Sequence, residues 1–266
     1  MPVFIESGFT GTTYPIANPR ICAQPLAGTV SVSTEQAGFE GVNAQDNLTY
    51  TYWKASAFPA NWQLTFATAQ TVSYVGIAAH DLFTKGANVR IQKLVAAVWT
   101  DIMPVVTPTD NDTILFLFAP ISVTEIRVRL TAGSAMPNIG IIFAGAAIEL
   151  PQKATYAGSL PFNEALQTQY ADTLSDGGHV LERFELRKAI PAQMTVAHLS
   201  ESWAQTNVPI LRATLAADPA FFADRPVDSP NSVVFGMLAE PLQPVRARAV
   251  AGAARDLTFK INGFAA

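Results

Sequence analysis

The sequence is poor in charge. Asp, Glu, Lys and Arg make up 14% of its 266 residues, and 49% of the residues are hydrophobic, whereas soluble domains average about 25% charged residues. Much of the outer surface must therefore be neutral or apolar. Such a surface favours a protein that is largely covered by partners, because the cores of interfaces are depleted in charge. The alternative is an Ala-rich monomer without partners.

Cysteine, basic clusters and long apolar runs are also scarce. Cys22 is the single cysteine, which excludes an intrachain disulfide framework. The 17 Lys and Arg residues are scattered and the net charge is −4, so nothing directs the chain to nucleic acid. The longest apolar run, Ile139 to Ile148, is too short for a membrane span of about 18 residues. The start of the chain lacks the pattern of a signal peptide, and we expect synthesis and folding in a cytoplasm.

Motifs for catalysis are missing from the sequence. His80, His179 and His198 do not have the spacing of metal ligands, and no nucleophile elbow, phosphate-binding loop or dinucleotide-binding glycine pattern occurs. Most acidic residues that could pair for glycoside hydrolysis lie in turn segments, where Asp is favoured in any case. We therefore expect a protein that is not an enzyme, with no catalytic residue, no cofactor and no metal.

What the sequence does contain, in its first half, is strands. Trp62, Leu64 and Phe66 alternate with polar residues, as in a strand with one buried face. The runs Val72 to Ala79 and Thr113 to Phe118 are continuously apolar, which is typical of strands covered on both faces. Short strands separated by turn segments, without long helices between them, predict an all-β sandwich.

The pattern changes after Leu150, where Pro151 suits the exit from a strand. Beyond it, strand signals alternate with one helical signal, because Val196, Leu199 and Trp203 fall at positions i, i+3 and i+7. The sequence thus predicts three segments: an N-terminal arm (1–22), a β-sandwich (23–150) and a smaller α+β domain (151–266), the last with a strand at Val180 to Lys188, a helix at Met194 to Thr206 and closing strands at Val233 to Met237 and Leu257 to Ile261. The arm either docks on a neighbouring subunit or adds one strand to the α+β domain.

The segment Gly38 to Ala79 carries a resemblance to a known family. A polar loop with Asn43 and Asp46 precedes Trp53, and Trp62 opens a strand that is followed by a Val-rich one. This order resembles the discoidin-like, galactose-binding-like domains that also occur as coagulation-factor C-type domains. The late stretches Glu125 to Leu130 and Ala147 to Leu150 are similar to that family's Ile-Arg-Val strand and closing strand. The resemblance implies a mainly β chain with a jelly-roll β-sandwich.

The same loop supplies candidate ligand-binding residues. Asn43, Asp46 and Trp53 could form a sugar or cation site at the end of the sandwich, and His80 with Asp81 follows an apolar strand at a place where a site could form. Each has a structural alternative. Short polar side chains hold turns, a Trp ring fills the edge of a core, and His80-Asp81 can cap a turn.

The chain as a whole resembles minor structural proteins of tailed bacteriophages. The stretches concerned are Gly76 to His80, Ile139 to Gly145, Tyr156-Ala157-Gly158, Gly177 to Lys188 and the ending LTFKINGF. This resemblance implies a homo-oligomeric subunit of a virion, in the tail, tail tip or fibre-attachment region, with other virion proteins as partners. The alternative function is a carbohydrate-binding module that recognises host surface glycans.

Phe221 and Phe222 are candidate partner-interface residues. They lie in a Pro-rich segment, and two adjacent aromatic residues of a strand cannot both face one core. Burial of both rings by folding back of the loop is the alternative.

Overall fold

The computed structural model describes residues 3–23, 25–155, 160–246 and 254–265, and residues 156–158 therefore lie outside the described residues. The described part is mainly β: two mostly antiparallel sheets and one α-helix. In chain order the elements are β1 (Val3–Ile5), β2 (Arg20–Ala23), β3 (Thr29–Val32), β4 (Trp53–Lys54), β5 (Ala60–His80), β6 (Val89–Val95), β7 (Val98–Asp101), β8 (Ile114–Leu130), β9 (Asn138–Gly145), β10 (Ile148–Glu149), β11 (Ala154–Thr155), β12 (Gln167–Leu174), β13 (Val180–Ser200), α1 (Glu201–Leu215), β14 (Ala220–Ala223), β15 (Val233–Leu238), β16 (Val245–Arg246) and β17 (Ala254–Gly263). None of the helices in these ranges is long and apolar enough to cross a membrane.

The first sheet is the predicted jelly-roll sandwich. Its strands run in the order β4-β9-β5-β8-β6-β7, with β3 beside β5 and β1 parallel to β8. The pairing of the long strands β5 and β8 shifts register between residues 65 and 70 of β5. Irregularities of this kind bend a strand. Both halves of these strands contribute to one core, so the sheet closes over it. Trp62, Leu64 and Phe66 lie in this core, which confirms their predicted shared face.

The second sheet takes strands from three distant parts of the chain. Its order is β10-β2-β14-β15-β17-β13-β11. The strand at Ile148–Glu149, predicted to close the sandwich, pairs instead with Arg20–Ala23 in this sheet. Arg20 to Cys22 lie at the end of the predicted arm, which thus adds a strand to the second sheet, while its beginning, Val3–Ile5, adds one to the first. Each of these strands is only two to four residues long, and its pairing depends on partners more than a hundred residues away.

The two sheets pack face to face through a second apolar layer. On strands β5, β8 and β9, alternate residues such as Tyr74, Leu115 and Phe143 turn away from the sandwich core and meet the second sheet. Both faces of these strands are therefore buried, as their continuously apolar sequences predict. The layer is tight, because a Cβ added to Gly76 would lie 2.6 Å from the ring of Phe221.

Phe221 and Phe222 are both fully buried within the chain. Phe221 faces the first sheet and packs against Phe143 and Phe235, whereas Phe222 faces the opposite layer and lies near Phe259. The prediction that one of them anchors a partner is wrong, since both faces of β14 are covered by the chain itself. The alternative is right that the rings are buried within the chain, but they lie on strand β14 and not in a folded-back loop.

The helix begins later than the sequence predicts. Met194 to Ser200 is the end of strand β13, and α1 covers Glu201–Leu215, passing through Pro209. Ser200 caps the helix, because its hydroxyl accepts a hydrogen bond from the backbone N–H of Trp203. The register of β13 against β17 shifts between Val196 and Leu199, so both side chains face the same core and imitate helical spacing.

The N-terminal segment is held on its own chain by a buried ion pair. The Arg20 guanidinium, 1% exposed, donates to the backbone carbonyls of Tyr14, Pro15, Asn18 and Pro19. It lies 3.5 Å from Glu149, whose carboxylate accepts hydrogen bonds from the backbone N–H groups of residues 12–14. This network fixes the loop between β1 and β2.

Candidate functional site

The predicted ligand residues gather at one end of the first sheet. Trp53 and His80 lie on strands that flank β9 from opposite sides, and both pair with Ile139. The 3₁₀-helix Gly41–Gln45 and the loop that follows it precede Trp53 along the chain. Asp81 follows His80 directly. The sequence therefore identified segments that do meet, although their roles differ from one residue to the next.

Both tryptophans pack in the core and hold a loop through their indole N–H groups. Trp53 is fully buried, and its indole N–H donates to the carbonyl of Thr34 at 3.2 Å. Trp62 is 1% exposed, and its indole N–H donates to the carbonyl of Gly41 at 2.9 Å. Each ring thus fixes a loop while filling the sandwich core. Trp53 is not accessible to a ligand, so its predicted role in ligand binding is replaced by the structural alternative.

Asp46 is exposed and organises the loop. Its Oδ1 accepts a hydrogen bond from the backbone N–H of Leu48 at 2.8 Å, and its Oδ2 accepts one from the Thr51 hydroxyl at 2.7 Å. Asn43 donates to the carbonyl of Tyr52 at 3.3 Å. A carboxylate has about four acceptor sites, so Asp46 keeps acceptor capacity towards solvent after both internal bonds are made.

His80 is a buried neutral side chain rather than an open site residue. It is 6% exposed, its Nδ1 accepts a hydrogen bond from the backbone N–H of Leu82 at 3.4 Å, and its Nε2 has no hydrogen-bond partner within the described residues. Burial lowers the pKa of His80 to about 4. The backbone of Asp112 and the carboxylate of Asp110 raise this pKa, but their effects are smaller.

Asp81 fastens the beginning of β9. Its Oδ1 accepts a hydrogen bond from the backbone N–H of Asn138 at 2.7 Å, and its Oδ2 lies 3.3 Å from the side-chain nitrogen of the same residue. Lys85 approaches the carboxylate at 3.9 Å. The turn-holding alternative accounts for these contacts.

Sequence reasoning missed the exposed apolar side chains of the same loop. Tyr50 is 75% exposed, Val42 59% and Leu48 39%. Phe39 and Tyr52, which flank this loop in the sequence, stack with ring centroids 4.9 Å apart. A signal was available, since Tyr50 stands in a segment of Asn, Thr and Asp without strand alternation, where a buried position is not expected.

Two cavities lie away from this loop. One of about 400 Å³ is lined by Leu160, Leu166, Pro191 and Gln193 near β13, and a more apolar one of about 300 Å³ lies between α1 and the loop after β15. Neither is lined by the predicted ligand residues. In residues 3–23, 25–155, 160–246 and 254–265, no three His, Cys, Asp or Glu side chains are grouped to hold a metal ion.

Comparison with known proteins gives fold neighbours only. No model of a known protein family matches the chain, and no curated protein matches it. Among solved structures, the galactose-bound family 32 carbohydrate-binding module of NanJ from C. perfringens is 18% identical, with a TM-score of 0.41, covering 47% of this chain and 98% of the module. Chitosan-binding module 1 from the chitosanase/glucanase of Paenibacillus sp. IK-5 is 20% identical, with a TM-score of 0.40 and coverages of 47% and 98%. SpGH29 is 22% identical, with a TM-score of 0.41, and the match spans 47% of this chain but 28% of that protein.

Proposed function

We propose that the chain is a non-catalytic binding protein that recognises carbohydrate through the loop of residues 42–51, at the end of the first sheet. The observation that carries this proposal is Tyr50, a largely exposed aromatic side chain on a loop whose backbone is fixed by internal hydrogen bonds. Loops placed on a rigid scaffold are common binding elements.

The loop combines the two kinds of contact that a sugar requires. The Tyr50 ring has a flat apolar face and a hydroxyl, and it carries few rotatable bonds that binding must freeze. The exposed carboxylate of Asp46, four residues earlier, can accept hydrogen bonds from sugar hydroxyls. Since Asp46 also holds the loop, the aromatic ring and the acceptor keep a fixed relation before the ligand arrives, which reduces the entropic cost of binding.

Tyr50 can be tested against a matched tyrosine. Galactose and chito-oligosaccharides are the first ligands to titrate, because two fold neighbours are described as a galactose-bound and a chitosan-binding module; a glycan array extends the search to cell-surface glycans. Tyr50→Ala should weaken binding about tenfold or more, as for a central aromatic contact. Tyr170→Ala, which removes another exposed tyrosine far along the chain, should leave binding unchanged. Equal loss in both variants, or no binding by the wild type, would contradict the proposal.

A second candidate function is that of a structural subunit of a phage virion, made in the host cytoplasm and placed in the tail or at the fibre-attachment region. The observation that favours a subunit is the hairpin formed by β12 and the first half of β13, which is mostly exposed and carries apolar side chains. Mass spectrometry of purified particles tests it. The chain should be present at a fixed copy number, and its absence from the particles would refute this candidate.

A further inference from the structure

Strand β12 and the first half of β13 form a two-stranded ribbon that extends beyond the second sheet. Gln167–Leu174 pairs with residues 180–189, and β13 pairs with β17 only from Ile190 onwards. Within the described residues the ribbon half of β13 has no strand on its other edge. An open strand edge is a template for pairing with a further strand.

The ribbon buries almost nothing within the chain. Every residue from Val180 to Lys188 is exposed, as are most residues of β12. Six large apolar side chains are 49–65% exposed: Tyr170, Leu174, Val180, Leu181, Phe184 and Leu186. An isolated two-stranded hairpin is at best marginally stable in water, and further strands or a packed surface stabilise it.

Cross-strand contacts nevertheless order the ribbon internally. Arg183 makes two hydrogen bonds to the Asp172 carboxylate, at 2.7 and 2.9 Å, and lies over the ring of Tyr170 at 5.1 Å. Arg187 donates to the side-chain oxygen of Gln169 at 2.9 Å. The pairing shifts register between Gln169 and Tyr170 and again between Thr173 and Leu174, so it is regular over residues 182–185 of β13 and gives the side chains there a defined order along the open edge.

We propose that the ribbon pairs with the same ribbon of a second copy of this chain, edge to edge and antiparallel, along β13 and about a two-fold axis at Phe184. In that register Arg183 of each copy lies opposite Glu185 of the other, and the two-fold axis makes this favourable pair twice. Residues directly opposite in antiparallel strands share a face, so opposite charges there stabilise the pairing.

A second copy fits this surface better than a partner of one charge sign. Residues 167–189 contain four acidic and three basic side chains, and their interleaving along β13 is self-complementary rather than uniformly charged. Val180, Leu181, Phe184 and Leu186 stand on the paired strand itself and gain cross-strand contacts with the second copy, whereas Tyr170 and Leu174 stand on β12, away from the joined edge. Two-fold dimers are also the commonest oligomers.

The pairing goes beyond both proposed functions, because a chain could dimerise in this way in a virion or outside one. The test is sedimentation velocity of the full chain over a range of concentrations. The wild type should show a monomer–dimer equilibrium. Glu185→Arg leaves the Arg183–Asp172 pair intact but removes the exposed ion pair of Glu185 with Lys188, 3.3 Å apart. It places like charges opposite each other twice in the dimer and should weaken dimerisation about tenfold. Glu182→Arg makes the same charge change at a position that faces Leu186 of the partner, and should have a much smaller effect.

Mixing two single variants provides a positive test. Arg183→Glu and Glu185→Arg chains should each dimerise poorly, whereas an equimolar mixture should form heterodimers, because every opposed pair then has opposite charges. Circular dichroism shows that each variant is folded, and if Arg183→Glu is not, the comparison of Glu185→Arg with Glu182→Arg decides alone. A wild type that is monomeric up to its solubility limit, or equal losses in Glu185→Arg and Glu182→Arg, would overturn the proposal.

Discussion

Acidification should destabilise the fold through His80. The side chain is 6% exposed, and its pKa is lowered from 6.5 to about 4, first of all by burial. In the unfolded chain the same imidazole takes up a proton near pH 6.5. The folded state therefore keeps His80 neutral at pH values where the unfolded state binds a proton, and the unfolded state gains free energy from that proton.

The sign and size follow from these two pKa values. Above pH 6.5 the imidazole is neutral in both states and does not change the free energy of unfolding. As the pH falls from 6.5 to 4 stability is lost, and the loss levels off below pH 4, where both states are protonated. Each unit of pKa difference corresponds to 1.36 kcal/mol, so the free energy of unfolding should fall by about 2.5 kcal/mol between pH 7.5 and 4.5 on account of this one group.

Urea denaturation at the two pH values measures the effect, with His80→Asn as the comparison. The Asn side chain can still accept the hydrogen bond from the Leu82 N–H, but it does not titrate. Other titrating groups contribute equally to both proteins. The wild type should therefore lose about 2.5 kcal/mol more than the variant. If the two proteins lose the same amount, His80 is not a buried neutral group and the reasoning fails.

Three further substitutions probe the packing. Gly76→Ala should cost about 1–3 kcal/mol in urea unfolding, because the new methyl group meets the Phe221 ring, and Phe221→Leu in the same chain should recover part of the loss. Arg20→Met should cost about 3–5 kcal/mol, since it leaves Glu149 without its buried partner, and should speed cleavage of residues 10–19 by protease. Phe222→Ala should cost about 3–5 kcal/mol by cavity formation, measured as a fall in urea midpoint; a neutral result would mean that the ring is not in the core.

Where burial alone sets the residue types, the fold could be predicted from the sequence. The alternation of Trp62, Leu64 and Phe66 reports one buried face, and the continuous apolar runs of β5 and β8 report two. Both patterns are local, and tertiary packing reinforces them. The burial of both Phe221 and Phe222 could not be predicted without knowing that β14 has a packed layer on each side.

Irregular geometry and distant pairing could not be predicted in this way. His198 has a positive φ of 59°, at the point where β13 shifts register, and this break makes Val196 and Leu199 imitate the spacing of a helix. The strand at Arg20–Ala23 is four residues long and lies between partners far along the chain.

At the candidate site the sequence identifies the right loop, but the structure gives its residues other roles than the predicted ones. Trp53 and His80 are buried, Asp46 holds the loop, and the exposed ring is that of Tyr50. Which aromatic side chain of a loop turns inward depends on core contacts that a single sequence does not specify.

The location of a bound saccharide tests the central claim most directly. Chemical-shift mapping by NMR, or a crystal structure of the chain with the tightest ligand from the array, should place the sugar against the Tyr50 ring and within hydrogen-bonding distance of the Asp46 carboxylate. A saccharide bound instead in the cavity beside Pro191 and Gln193, or no saccharide bound at saturating concentration, would contradict the account.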